Sequence, residues 1–316
     1  MLALVRARLL QLLLVLFFMS ILIFGLMKLA PGDPVFALLK ADEVKTTMAD
    51  EQALRESLGL DKPMLVQYGQ WLARVARLDF GDSLMRQRPV LELYVEKLPA
   101  TVELALGGMA FMLALAVPAG LLAARFPGRL PDHAGRAFSL LGASIPVFWI
   151  GLLLIYLFAY RLQWLPFMGR GEDWRQLILP SVTLGFGLSA VHASLLRSGM
   201  LASLSQPYIR AARARGIRES TIYGKYALRG AIAPVLTVFG MTLGSLLAGS
   251  VVVETLFSWP GIGLMAVEAI FQRDYPLVQG FLFLSGALIV LVNLAVDLLY
   301  GWIDPRVRLS GKGGRR

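Results

Sequence analysis

The sequence predicts an all-α membrane protein with six transmembrane helices, and three observations carry that prediction. Of the 316 residues, 57% are hydrophobic and 16% are charged, and the mean hydropathy is +0.65. A soluble chain of this length would leave too much apolar surface in water. The apolar residues gather into six runs of about 20 residues, the length a helix needs to cross roughly 30 Å of hydrocarbon. The charged residues lie between these runs, and their basic excess falls in alternate connections.

The first run lies between Arg8 and Lys28. Leu29, Ala30 and Pro31 make a poor signal-peptidase site, so residues 1–30 read as an uncleaved anchor helix. The later runs extend from Ala100 to Ala124, Ala137 to Tyr160, Leu177 to Leu196, Ala231 to Val253 and Tyr275 to Val296. Residues 100–303 therefore form a five-helix core, and residues 304–316 a basic tail. Connection 31–99 carries nine Lys/Arg against eleven Asp/Glu. Within it Leu54, Leu58, Leu65, Tyr68 and Leu72 fall at helical spacing, interrupted by Gly59 and Pro63, which predicts a small folded extracytoplasmic cap.

The shorter connections set the orientation. Arg125 to Arg136 holds three Arg against one Asp, Arg197 to Gly230 seven Lys/Arg against one Glu, and the tail from Asp297 five against two. Six spans put these segments on one side together with Arg6 and Arg8, and their basic excess makes that side the cytoplasm, with both termini inside. Most of the net charge of +10 is accounted for in this way, and no nucleic-acid partner is needed. The absence of cysteine excludes disulfides, thiolate metal sites and a cysteine nucleophile, and two histidines are too few for a histidine-rich metal site. Neither a phosphate-cradling Gly-x-x-x-x-Gly-Lys-[Ser/Thr] nor His-Glu-x-x-His nor Gly-x-Ser-x-Gly occurs, so the chain has no machinery of its own for ATP or bond hydrolysis.

The most basic connection, 197–230, contains a short helix opened by Pro207, with Ser205 or Gln206 as its cap. Tyr208, Ala212 and Gly216 at i, i+4 and i+8 give that helix a face with little bulk, open to a partner. Arg210, Arg213, Arg215 and Arg218 surround it and suit carboxylates or phosphate headgroups. Fixing orientation and touching anionic lipid would use the same arginines, and spacing alone does not separate the two roles. After the fifth run, Glu254 to Gly263 breaks the helix with Pro260, Gly261 and Gly263, where irregular backbone at membrane depth needs protein or water around it. A plain turn with Trp259 as interfacial anchor is the simpler reading of those residues. Glu103 and His192 lie inside runs and should face the bundle interior, His192 neutral and hydrogen-bonded. Gly107, Gly108, Gly185, Gly187, Gly240, Gly244, Ser245 and Gly249 supply small surfaces for close helix packing.

Ala211-Ala212 followed after three residues by Gly216 resembles the Glu-Ala-Ala-x-x-x-Gly loop of permease subunits in ATP-binding-cassette importers. Arg210 stands where the general pattern has Glu, and Tyr226 to Arg229 replaces its Ile-x-Leu-Pro. The remainder resembles the peptide and nickel class of these permeases from end to end. Gly32-Asp33-Pro34, Leu58-Gly59-Leu60-Asp61-Lys62-Pro63, Gln67-Tyr68, Phe80-Gly81-Asp82-Ser83 and Leu98-Pro99-Ala100-Thr101 carry the likeness in the first third. Ser144-Ile145-Pro146-Val147-Phe148-Trp149, Leu165-Pro166, the Glu254 to Gly263 stretch and Asp304-Pro305-Arg306 continue it.

That resemblance implies a type I, MetI-like permease fold with 31–99 as a periplasmic cap, in the bacterial inner membrane. It implies a coupling helix in loop 197–230, with Tyr208, Arg210, Ala211, Ala212, Arg215 and Gly216 contacting an ATPase subunit. Glu254, Trp259, Pro260, Gly261 and Gly263 would lie at the outer gate and binding-protein contact. The implied partners are a second homologous permease, two cytoplasmic ATPase subunits holding ATP and Mg, and a periplasmic or lipid-anchored substrate-binding protein. This chain itself would hold no cofactor, and the substrates would be peptides or nickel and other metal chelates. A stand-alone secondary transporter or channel is the alternative, but it needs ion-coupling groups at the membrane midplane that these runs scarcely provide.

Overall fold

The computed structural model describes residues 2–29 and 61–303. The expected cap up to residue 60 and the tail 304–316 lie outside these residues. Helices α1 (Leu2–Leu29), α2 (Met64–Val75), α3 (Val90–Arg125) and α4 (Leu130–Ser144) come first. Next is α5 (Val147–Leu154), prolonged by a π-helical segment Ile155–Arg161. A short 3₁₀ turn leads into α6 (Ile178–Leu204), followed by α7 (Pro207–Ala214). A second π-helical segment, Ile222–Ala227, runs into α8 (Leu228–Leu256), and α9 (Ile262–Gln272) and α10 (Tyr275–Ile303) close the described part.

Among the described residues, four segments are long and apolar enough to cross a membrane: Leu10–Leu29, Val90–Arg125, Trp174–Leu204 and Tyr275–Val296. The expected third span is not one rod. Its two pieces, Leu130–Ser144 and Val147–Arg161, meet at 102° and make a fifth crossing only if they count together. Proline explains the break, because Pro146 biases the preceding residue out of the helical region and Ile145 is extended at ψ 125°. Helix α8 covers the fifth expected run, with several side chains outside the described set, and is not among these crossings. Six spans are therefore not evident from the described residues. The second expected span begins earlier than its apolar run: α3 starts at Val90 and passes through Pro99, its first turns burying Val90, Leu93 and Tyr94 on one face while Glu92 and Glu96 on the exposed face accept from Arg88 (2.5 and 3.0 Å).

The chain divides into two units, residues 1–101 with 260–291 and residues 102–259 with 292–316. In the first, Val75, Phe80, Leu93, Tyr94, Met265 and Leu277 share one apolar core. Helix α2 lies against α1, with Phe24 at 5.4 Å from Tyr68 and 5.9 Å from Trp71, centroid to centroid, and the Ser20 and Tyr68 hydroxyls 2.8 Å apart. Asp274 is buried in this unit and fastens the segment Gly81 to Pro89. It accepts from the Ser83 hydroxyl and from the amides of Leu84 (3.1 Å) and Met85 (3.4 Å), and it caps α10 through the Leu277 N–H (3.3 Å). The sequence signal for this cap was an Asp two residues before Pro276 at a helix start.

In the second unit α6 is central, packed against α4, α5 and α8. Two of the predicted small residues meet here: any side chain on Gly185 would collide with the Gly108 backbone oxygen, so α3 and α6 touch nearly backbone to backbone. His192 is buried and hydrogen-bonded, Nδ1 to the Leu188 carbonyl (2.9 Å) and Nε2 to the Thr242 hydroxyl (3.2 Å). Glu103 departs from expectation. It is partly exposed and paired with Arg170 at 2.6 Å, a partner sequence spacing did not suggest.

Candidate functional site

Pro207 begins α7 as expected, after Gln206 in extended backbone at ψ 149°. Neither predicted cap acts as one: the Ser205 hydroxyl donates back to the Ala202 carbonyl (2.8 Å), as does the Gln206 amide (3.4 Å). At the other end Gly216 has φ +71°, its N–H donates to the Arg213 carbonyl (2.9 Å) and the Ile217 N–H to the Ala212 carbonyl (3.2 Å). This paired wrap stops the helix in a left-handed residue, a conformation glycine adopts at least cost. Open space surrounds the position where a Gly216 side chain would project, so backbone conformation rather than close approach demands glycine.

The predicted smooth face is divided. Ala212 is 5% exposed and Ile209 fully buried, packed with Ala124, Leu196, Met200 and Ile222 in an apolar core. Tyr208 is partly exposed, its hydroxyl 2.7 Å from that of Ser203. Tyr208 and Ala211 of α7 and Arg215 just beyond its end, at i, i+3 and i+7, face solvent, flanked by Arg210 and Ala214, with Arg213 also exposed. Sequence reasoning missed the inward stripe because Ile209 and Ala212 alternate with arginines, although Ile209 was the one large apolar residue available to define it.

Charged residues bind this segment to its neighbours. Arg213 grips Glu219 with two N–H donors (2.7 and 3.2 Å), and this guanidinium holds the Glu219 carboxyl below the usual carboxylate range. Arg125, the last residue of α3, lies 4.0 Å from Glu219 and 4.5 Å from the centre of the Tyr223 ring. Nearby, buried Asp132 receives Arg136 (2.8 and 3.2 Å), Arg197 of α6 (2.5 and 3.1 Å) and the Gly128 N–H (2.8 Å).

The second predicted stretch repeats the same helix ending. Ser258 has φ +51°, its N–H donates to the Thr255 carbonyl (3.4 Å) and the Trp259 N–H to the Glu254 carbonyl (2.8 Å). Trp259 is only 1% exposed, so it is not an interfacial anchor, and Glu254, five residues earlier, is also buried. Beyond Pro260, extended Gly261 precedes α9, the Ile262 N–H donates to the Thr101 hydroxyl (2.9 Å) and Gly263 is buried in the first turn. Among the described residues no three His, Asp or Glu side chains gather as a metal site.

Two family descriptions match this chain: "Binding-protein-dependent transport system inner membrane component" over residues 116–309, and its N-terminal counterpart over residues 1–105. The chain belongs to that family. It is 41% identical to the di/tripeptide transport system permease protein DppB of Pseudomonas aeruginosa, over 96% of this chain and 98% of that protein. It is 37% identical to the glutathione transport system permease protein GsiC of Escherichia coli K12, over 95% and 97%. Its fold matches the inward-facing MetNI methionine ABC transporter with a TM-score of 0.54 at 20% identity, over 68% of this chain and 97% of the other. The chain is thus a membrane permease subunit of a binding-protein-dependent transport system, a transport subunit by family.

Proposed function

We propose that this chain is half of the translocation path of an ATP-driven peptide importer, crossing the bacterial inner membrane six times with both termini in the cytoplasm. A second, homologous permease completes the path, two ATPase subunits holding ATP and Mg drive it, and a periplasmic or lipid-anchored binding protein loads it. Peptides are favoured over nickel and metal chelates because the relatives that cover nearly the whole chain are named for di/tripeptide and glutathione transport.

The observation that carries the reading is the construction of α7. Its underside, Ile209 and Ala212, is buried with residues of α3, α6 and α8, while Tyr208, Arg210, Ala211 and Arg215 are exposed. A partner seated on that surface would displace the ends of three long helices together. In this reading Tyr208, Arg210, Ala211 and Arg215 touch the ATPase, and Ala212 and Gly216 hold the coupling helix in shape. Glu254, Trp259, Pro260, Gly261 and Gly263 belong to the outer gate, where the loaded binding protein releases substrate.

Purification in mild detergent tests the proposal: ATPase subunits should co-elute with vanadate-sensitive hydrolysis, and proteoliposomes should take up labelled dipeptide only with ATP and binding protein. Uptake by the purified single chain without ATP would establish the stand-alone transporter instead.

A further inference from the structure

We propose that Glu219 is a positioning residue that ties the end of α3 to the coupling helix, so that movement of α7 reaches α3 as well as α6 and α8. This rests on the assignment of α7 as the ATPase contact.

Loop 197–230 is covalently continuous with α6 and α8, so a push on α7 reaches those helices through the backbone. Helix α3 has no such connection, since it ends at Arg125 and the chain returns only after α4, α5 and α6. Its attachment is made by side chains. Leu121 and Ala124 enter the core beneath α7, and this apolar contact resists compression but has no directionality of its own. Direction comes from the polar layer above. Glu219 stands between Arg213 of α7, at 2.7 and 3.2 Å, and Arg125 of α3, at 4.0 Å, and Arg125 also lies 4.5 Å over the Tyr223 ring at the entry to α8. One carboxylate therefore joins two cations on different elements, and neither cation can pair with the other without it.

Exposed ion pairs contribute little to stability because water screens them and the side chains lose freedom. All three groups are roughly 43–44% exposed, so a merely stabilising role is a poor explanation for the arrangement. A bridge at the one junction where the backbone makes none can still determine which elements move together. The π-helical segment Ile222–Ala227 adjoins this junction, and such segments interrupt regular helix frequently at functional positions.

The test uses the assembled importer with environment-sensitive probes on single cysteines, which the cysteine-free chain permits. Val117→Cys reports on α3 and Val191→Cys on α6, both at exposed positions. In otherwise native protein, ATP with vanadate should shift both probes. In Glu219→Gln, ATPase co-purification, basal ATP hydrolysis and the α6 shift should persist while the α3 shift falls by about threefold or more, the scale of one link in a coupling network. Arg125→Gln should repeat that loss, and Arg125→Lys, which keeps the charge, should restore most of the shift. An undiminished α3 shift in Glu219→Gln would refute the tie while leaving α7 as the ATPase contact. If neither probe responds in otherwise native protein, both the contact and the tie are wrong. Equal loss at both probes would make Glu219 a fold-maintaining residue only, and would also overturn the proposal.

Discussion

Asp132 and Arg197 form a two-pronged pair, Nε at 2.5 Å and Nη2 at 3.1 Å, joining the first turn of α4 to α6 across 65 residues of sequence. Arg136 reaches the same carboxylate from one turn along α4, but it is 55% exposed whereas Arg197 is 18% exposed. The less solvated partner depends more on the pair, because water cannot replace what it loses. Arg197→Ala should therefore lower the thermal unfolding midpoint in detergent more than Arg136→Ala. Asp132→Ala, which strands both guanidiniums and the Gly128 N–H, should lower it most.

Gly216 and Ser258 close their helices with the same two-bond wrap, at φ +71° and φ +51°. One is glycine and the other carries a Cβ, whose clash with the following carbonyl costs about 1–2 kcal/mol in this conformation. Gly216→Ser should destabilise by about 1 kcal/mol, with no steric addition because the space is open. Ser258→Gly should lose clearly less than Gly216→Ser, staying within about 0.5 kcal/mol of the parent, since relief of strain offsets the greater freedom of the unfolded glycine. Unfolding of both variants in mixed micelles checks the asymmetry; equal losses would contradict it.

Apolar run length made the long helices legible, and charge placement marked the connection that became α7. The start of α3 at Val90 is obscured because Pro99 reads as a stop, although Val90, Leu93 and Tyr94, buried at i, i+3 and i+4, already have helical spacing in the sequence. Nor does the sequence show the 102° bend: the apolar flanks of Ser144-Ile145-Pro146 read as one continuous span. Long-range polar partners were equally hidden. Ser83 with Asp274 and Arg125 with Glu219 are set by which helix ends meet, and single-sequence periodicity contains no information on that.

Ala211 and Ala212 are adjacent in sequence and opposite in environment, the first exposed and the second 5% exposed. A glutamate at each should separate docking from folding. Ala211→Glu adds bulk and negative charge to the solvent face, so the chain should insert and fold normally while ATPase co-purification falls sharply. Ala212→Glu would place a carboxylate in the apolar core with Ile209 and Met200, at a cost of several kcal/mol if it stays ionised there. Its primary effect should be a lower unfolding midpoint in the isolated permease, before any partner is added. The reverse pattern would return the contact face to Ala212.

The Glu219 pair has a pH signature that follows from the direction of its shift. Its carboxyl is held below the usual range first by the Arg213 hydrogen bonds, with Arg125 adding a further pull, so the folded protein releases this proton more readily than the unfolded chain. The pair's contribution is therefore present above the ordinary glutamate value of about 4.3 and is lost as pH falls through the lower folded value. Because the pair is exposed, native protein and Glu219→Gln should show only a small offset in unfolding midpoint, constant between about pH 5 and pH 8 since no proton is exchanged at this site there. The offset should shrink as the medium is acidified below about pH 4 and the native carboxylate is neutralised in turn. An offset that grew on acidification would mean that Glu219 binds its proton more tightly when folded, contrary to the pull of Arg213.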